Sequence, residues 1–253
     1  MLLAIDIGNT NIVIGVLTDG VLLKHWRLST DKRRTADEYG LLLKSLFSSA
    51  GDAMEINGAI IASVVPSLTP VFKEALPGYI GVEPLVVGES VTPSMPVLTD
   101  NPSEVGSDRI VNAVAAYSVF KTALIVVDFG TAVTFDYVTE RGEYAGGLIA
   151  PGISISAEAL YKKTAKLPRV DVGRPSTVVG KNTVESMRSG IYWGFVGLVD
   201  GIIERMINEV GGSPGIIATG GLAPLVIGGS SYVTESDEFL TLKGLRIIYE
   251  GKR

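Results

Sequence analysis

The sequence predicts an α/β protein made of two copies of one unit, with two phosphate-binding loops that face each other across a cleft. Two stretches carry the same pattern, in which an aliphatic run is followed by an acid, an apolar residue, a glycine and small polar residues. They lie at 2–11 and 125–132. Their acids, Asp6 and Asp128, each open about one half of the 253-residue chain. Two unrelated turns would not predict this spacing, so we predict one domain over 1–118 and a second over 119–253.

Each copy has the chemistry of a site for a metal-bound polyphosphate. The aliphatic run is typical of a buried strand, which places the acid at the end of that strand. Gly8 and Gly130 allow a tight turn whose amide N–H groups point at an anion, while the carboxylate binds the cation directly or through its waters. Further short donors follow the glycines, namely Asn9, Thr10, Asn11 and Thr131. A single copy would also fit an ordinary turn, and the repetition favours phosphate binding.

Three strands are predicted at the start of each half. In the first half, a strand over 12–17 returns from the loop, and Asp19-Gly20 predicts a hairpin turn into a third strand at 21–23. In the second half, strands over 133–138 and 144–150 repeat this order. The other elements that the pattern predicts include a helix over 35–50, a buried strand over 58–65 and a closing amphipathic helix over 237–249.

A long helix is predicted from Asn182 to about Asn208. Asn182 and Glu185 have the spacing of a capping box, with Asn182 as the N-cap. Four glycines recur every three or four residues and therefore share one face of this helix, at 190, 194, 197 and 201. Glycine inside a helix costs about 1 kcal/mol relative to alanine, which indicates a compensating close contact. Both packing within the chain and a subunit interface fit this face.

Asp108 and Arg109 lie at the start of another predicted helix, which continues through Tyr117. An acid in a first turn has a structural explanation, because it complements the helix dipole. The functional alternative is a general base beside a cationic anchor. The residues alone leave both open.

Composition excludes several classes of function. The formal net charge of −5 argues against nucleic acid or an anionic membrane as a partner. The absence of cysteine excludes disulfides and thiolate catalysis, and with only one histidine it leaves oxygen-ligated cations as the plausible metals. The N-terminus lacks the basic region of a signal peptide, and the uncharged stretch at 56–72 contains two prolines. We expect a soluble cytoplasmic protein.

Several stretches together resemble type III pantothenate kinase, a family in the superfamily of sugar kinases, actin and heat-shock chaperones. They occur in the order of the family and span nearly the whole chain, at 6–11, 101–110, 128–132, 146–152, 167–169 and 180–183. The most specific is Gly106-Ser107-Asp108-Arg109 in its Pro-Glu-Val context. The resemblance implies two ribonuclease H-like domains with mixed sheets flanked by helices and a nucleotide cleft between them. It also implies that ATP phosphorylates pantothenate to 4′-phosphopantothenate, the first step of coenzyme A synthesis.

The resemblance also implies roles for individual residues. Asp108 would be the catalytic base, and Asp128 would bind the monovalent cation, K⁺ or NH₄⁺. Asp6 would lie near the Mg²⁺ of ATP. The ATP contacts would come from Asp6, Ile7, Gly8, Asn9, Thr10, Asn11, Ile12, Val13 and Thr131. The pantothenate contacts would come from Thr99, Gly106, Ser107, Asp108, Arg109 and Thr183, with a homodimer completing the site.

Two positions depart from the family pattern, and two other functions compete with the kinase. Ser107 replaces the usual alanine, and Thr99 stands where many members have an aromatic residue. One competing hypothesis is a regulatory protein that binds nucleotide on the same fold without catalysis. The other is a kinase for a different small hydroxylated substrate.

Overall fold

The computed structural model describes residues 1–51 and 54–252, which form two compact units. The first comprises Met1–Ala115 and the chain from Leu240 onward, and the second comprises Ala116–Phe239. The strands are β1 Leu2–Ile7, β2 Asn11–Thr18, β3 Val21–Ser29, β4 Gly58–Ser63, β5 Pro84–Val86, β6 Leu124–Phe129, β7 Ala132–Val138, β8 Tyr144–Pro151 and β9 Gly215–Thr219. The helices are α1 Ala36–Ser49, α2 Thr69–Ile80, α3 Ser107–Phe120, α4 Ile153–Lys162, α5 Thr183–Val210, α6 Ala223–Ile227 and α7 Leu240–Gly251.

The first unit contains a five-stranded mixed sheet in the order β3-β2-β1-β4-β5. β1 is antiparallel to β2 and parallel to β4, with Asp6 opposite Ala62 and Ile7 opposite Ser63. Four of the six residues of β1 are buried, as its unbroken apolar run predicts for a central strand. Asp19 and Gly20 both have positive φ, 48° and 82°, so the predicted hairpin turn between β2 and β3 is confirmed.

The second unit repeats this topology in a four-stranded sheet. The order is β8-β7-β6-β9, with β6 antiparallel to β7 and parallel to β9. β6 thus corresponds to β1, and the acid-bearing strand is central in both sheets. The predicted duplication and the fold class of two mixed sheets flanked by helices are confirmed.

Helix α7 packs on the first unit, whereas the sequence predicts that it belongs to a second domain over 119–253. Its apolar face buries Leu242, Leu245 and Ile248. A Cβ on Gly15 in β2 would lie 2.7 Å from Leu242 Cδ1, and one on Gly244 would lie 2.2 Å from the carbonyl oxygen of Val111 in α3. An amphipathic pattern predicts that a helix buries one face, but it carries no information about which sheet receives that face.

The long helix α5 begins as predicted. The Asn182 side chain accepts a hydrogen bond from the Glu185 N–H at 2.9 Å. The Glu185 carboxylate accepts the N–H of Lys181 at 3.0 Å, one residue earlier than a standard capping box would have it. Across residues 1–51 and 54–252, no helix is both long enough and apolar enough to span a bilayer.

Candidate active site

The loop between β1 and β2 is the first predicted phosphate loop. Asp6 precedes the last residue of β1, and Asn9 and Thr10 are exposed at the tip. The Gly8 N–H donates to the carbonyl of Asn11 at 3.0 Å, which closes a tight turn. A Cβ on Gly8 would lie 3.0 Å from that same oxygen, so the turn favours glycine. The structure therefore presents Asn9 and Thr10 to solvent on a short, internally bonded loop.

Asp108 lies in the first turn of α3, where it is half-buried. Its Oδ1 accepts the N–H of Arg109 at 2.8 Å. Directly before the helix, a Cβ on Gly106 would lie only 2.5 Å from the same Oδ1. The absent side chain at 106 thus makes room for the carboxylate, and the Arg109 N–H orients it.

Ser107 fastens the start of α3 to the end of β4. Its hydroxyl accepts the N–H of Ser63 at 3.1 Å and donates to the carbonyl of Ser63 at 3.2 Å. Ser63 pairs with Ile7, and Asp6 is the neighbour of Ile7. Asp6 and Ser63 therefore lie at the same end of two adjacent parallel strands in the first unit. The start of α3, which carries Asp108, is bound to that end of the sheet. The Ser107 hydroxyl, assigned to substrate contact by the resemblance, is engaged with the backbone.

Asp128 is the next-to-last residue of β6 in the second unit, and a glycine turn packs against it. Gly220, with φ of 90°, is so close that a Cβ would lie 2.6 Å from Asp128 Oδ1 and 2.7 Å from the Phe129 carbonyl oxygen. A Cβ on Gly152 would lie 2.1 Å from the carbonyl oxygen of Thr131. Two glycines thus pack closely against the second loop, Gly220 beside the Asp128 carboxylate and Gly152 beside the Thr131 carbonyl.

The remaining predicted contacts lie in loops and at a helix start. The Thr99 hydroxyl is buried and forms no hydrogen bond with the residues that the structure describes. Arg109 is half-buried in α3. Thr183 is the exposed first residue of α5 and lines an open groove of about 750 Å³ within the second unit, together with Leu160, Lys181 and other residues.

Few side chains at these loops can act as metal ligands. Over residues 1–51 and 54–252, no three or more histidine, aspartate or glutamate side chains are grouped to hold a metal ion. The Phe129 carbonyl oxygen lies against Gly220, as the Asp128 carboxylate does. A carboxylate with a backbone carbonyl oxygen near it would suit a hard cation.

Sequence reasoning missed Thr30, which follows β3. Its hydroxyl donates to the carbonyl of Gly8 at 2.6 Å, and its N–H donates to the carbonyl of Thr10 at 3.0 Å. The available signal was a threonine directly after a strand that pairs with the loop-bearing hairpin. That signal is weak, because threonine is common at strand ends for reasons of propensity alone.

Solved structures with the same architecture include sugar kinases. A putative 2-dehydro-3-deoxygalactonokinase from Sinorhizobium meliloti superposes with a TM-score of 0.64 over 99% of this chain and 96% of its own, at 10% identity. A ROK family glucokinase from Streptomyces griseus, solved in complex with glucose and AMPPNP, has a TM-score of 0.59 over 99% of both chains at 11% identity. This chain, with an acid-glycine hairpin in each half, therefore has the fold of these kinases.

Sequence comparison identifies the family. The family model for type III pantothenate kinase matches residues 2–205. A type III pantothenate kinase from Geobacter sulfurreducens is 56% identical over 254 aligned residues, covering 100% of both chains. This chain belongs to the type III pantothenate kinase family, as the resemblance in its motifs indicated.

Proposed function

We propose that this protein transfers the γ-phosphoryl group of ATP to the primary hydroxyl of pantothenate, with Asp108 as the catalytic base. The products are ADP and 4′-phosphopantothenate, as in the opening step of coenzyme A synthesis. Family membership supports the reaction, and the geometry around Asp108 supports the role of this residue. The observation that carries the assignment is the Asp108 carboxylate, which the Arg109 N–H orients. It lies at the start of a helix that is bound to the end of the sheet where the first loop begins.

The step requires one proton acceptor and little other covalent chemistry from the protein. The pantothenate hydroxyl forms the new O–P bond, and the bond from the γ-phosphorus to the β,γ-bridging oxygen breaks to release ADP. The hydroxyl proton passes to the carboxylate of Asp108. Phosphoryl transfer depends mainly on positioning and on neutralising charge, so an oriented carboxylate is what the site has to provide.

The loop from Asp6 to Val13 is proposed to bind the ATP phosphates. Support comes from the tight turn at Gly8 and from the exposure of Asn9 and Thr10 at its tip. Asp6, at the end of β1, would hold Mg²⁺ through ATP or through its waters, and the ion would neutralise charge on the phosphates. Thr131 in the second loop is proposed as a further ATP contact, because it is exposed directly after Gly130.

Asp128 is proposed to bind a monovalent cation, K⁺ or NH₄⁺. The support is its donor set, since the Asp128 carboxylate and the Phe129 carbonyl oxygen both lie against Gly220. One carboxylate with neutral carbonyl oxygens matches the charge of a monovalent ion. When bound, the ion would supply positive charge to the second loop.

Pantothenate is proposed to contact Gly106, Ser107 and Arg109 beside the base, and Thr99 and Thr183 elsewhere. Arg109 supplies a cation for the carboxylate of pantothenate. The buried, unpartnered Thr99 hydroxyl supports a ligand contact, because a buried hydroxyl normally has a hydrogen-bond partner. For Ser107, the contact would be made by its backbone, because its hydroxyl bonds to Ser63.

A homodimer is proposed to form through the exposed face of α5. Among the described residues, nothing lies within 4 Å of a Cβ placed on Gly190, Gly194 or Gly197, apart from the helix's own backbone near each glycine. Large apolar side chains are exposed in the same unit, at Leu148, Ile149, Ile155, Leu160, Tyr161, Val178, Val179 and Val184. A glycine face without a neighbour in the described part of the chain favours close approach of a second copy. Sedimentation should show a dimer, and Gly194→Glu should shift it to monomer.

Residence in the cytoplasm remains a prediction.

Replacing Asp108 with asparagine tests the assignment. With ATP, Mg²⁺, K⁺ and pantothenate, the wild type should form phosphopantothenate, detected by mass, and Asp108→Asn should lose turnover by about 10²- to 10⁴-fold while still binding ATP. The matched control is Asp37→Asn, another first-turn acid, which accepts a hydrogen bond from the Tyr79 hydroxyl. Absence of product with wild-type protein would contradict the proposal. Turnover with a different alcohol would indicate another kinase, and ATP binding without any turnover would indicate a regulator.

A further inference from the structure

The carbonyl oxygens of the first phosphate loop are almost all occupied by donors from the protein itself. The Ile7 carbonyl accepts the Val64 N–H at 3.0 Å, and the Asn11 carbonyl accepts the Gly8 N–H at 3.0 Å. The carbonyls of Gly8 and Thr10, which lie on either side of Asn9, both bond to Thr30. A free carbonyl oxygen facing a phosphate would repel it. Thr30 therefore holds the two peptide groups that flank the one between Asn9 and Thr10.

We infer that Thr30 is a positioning residue that aims the amides of the first loop at the ATP phosphates. A trans peptide is planar, and its C=O and N–H point in opposite directions. When the Thr30 hydroxyl holds the Gly8 carbonyl at 2.6 Å, it turns the N–H of Asn9 away from β3. When the Thr30 N–H holds the Thr10 carbonyl, it does the same for the N–H of Asn11. This inference rests on the proposed role of the loop in binding ATP.

The side-chain contact is the one that a substitution can remove. The Thr30 N–H is part of the backbone and survives any replacement except proline, so the Thr10 carbonyl keeps its partner. The hydroxyl is half-buried and donates a hydrogen bond to the Gly8 carbonyl. Without it, the peptide between Gly8 and Asn9 can rotate, because the glycine side of that bond accepts a wide range of backbone angles. The Asn9 N–H would then be oriented towards phosphate for only part of the time.

The test compares Thr30→Val and Thr30→Ala, which lack the hydroxyl, with Thr30→Ser, which keeps it. Thr139→Val is the matched control, because Thr139 is also half-buried and its hydroxyl bonds to Glu143 in the hairpin between β7 and β8. Two readouts are measured for each variant. The first is KM for ATP and for pantothenate, and the second is the rise in Tm with increasing Mg²⁺-ATP, which reports binding without turnover.

We expect KM for ATP to rise about tenfold in Thr30→Val and Thr30→Ala, the effect of losing one hydrogen bond to an oriented group. KM for pantothenate should stay unchanged, Thr30→Ser should restore the wild-type value, and Thr139→Val should lower Tm alone. An unchanged KM for ATP in both variants would overturn the inference. If the wild type binds ATP but does not phosphorylate pantothenate, weaker ATP stabilisation of Thr30→Val still supports the inference while the proposed substrate fails.

Discussion

Replacing Gly106 with alanine should impair catalysis without unfolding the protein. The added Cβ would lie 2.5 Å from Oδ1 of Asp108 and 3.5 Å from Cγ1 of Val64. Only the first contact is too short. The atom it displaces is the end of a side chain, which moves at little cost in stability. That same atom is the carboxylate oxygen that the Arg109 N–H orients.

The size of the effect follows from the displacement. Oδ1 has to move from 2.5 Å to an ordinary contact of at least 3.4 Å, a shift of about 0.9 Å. A misplacement of about 1 Å in a reacting group costs on the order of 10²-fold in rate. The free energy of unfolding should change by less than about 1 kcal/mol, because alanine also restricts the unfolded chain. We therefore expect a large loss of kcat with little change in Tm.

The assay measures kcat and Tm for Gly106→Ala beside Gly78→Ala. Gly78 is an exposed residue of α2 whose added Cβ meets nothing within 4 Å, so the control should gain slightly in stability and keep its activity. A double-mutant cycle sharpens the result. In an Asp108→Asn background, Gly106→Ala should cause no further loss, because the group it displaces no longer accepts the proton. Full additivity of the two changes, or wild-type turnover in Gly106→Ala, would refute the reasoning.

Three smaller effects are expected elsewhere. Ser107→Ala should lower the free energy of unfolding by about 1–3 kcal/mol in urea titrations, since it leaves the Ser63 N–H without its acceptor. An unchanged free energy of unfolding would mean that water replaces the hydroxyl. Asn182→Ala should cost about 1 kcal/mol by removing the N-cap of α5, and Asn182→Ser should recover most of it. The hydrogen bond from the Arg33 side chain holds the pKa of the Asp31 carboxyl below its usual range. Any stability that this bond adds is therefore present at pH values above the Asp31 pKa of the unfolded chain, and it is lost as the pH falls through the Asp31 pKa of the folded protein. In Arg33→Gln, an NMR titration should show the Asp31 pKa rising, and an unchanged value would contradict the pairing.

The sequence predicted the parts of the site that local chemistry encodes. An aliphatic run, an acid and a glycine define a strand that ends in a phosphate-type loop, and the repetition at Asp6 and Asp128 predicted the duplicated sheets. The Asn182 cap likewise depends on residues three apart in the chain. The assignment of Asp108 was different in kind. Its residues by themselves favoured a helix-start acid, and only the family resemblance favoured a base.

The sequence by itself determined the duplicated unit, the buried strands that end in an acid, and the family. These features depend on residue patterns along the chain, so they can be recognised before the folded structure is known. The tertiary structure decided what distant residues do to one another: α7 covers the first sheet, Ser107 binds Ser63 across 44 positions, and Thr30 holds the loop that Gly8 begins. Such contacts depend on which faces meet after the chain has folded, and hydrophobic periodicity specifies that a face is buried without specifying its partner.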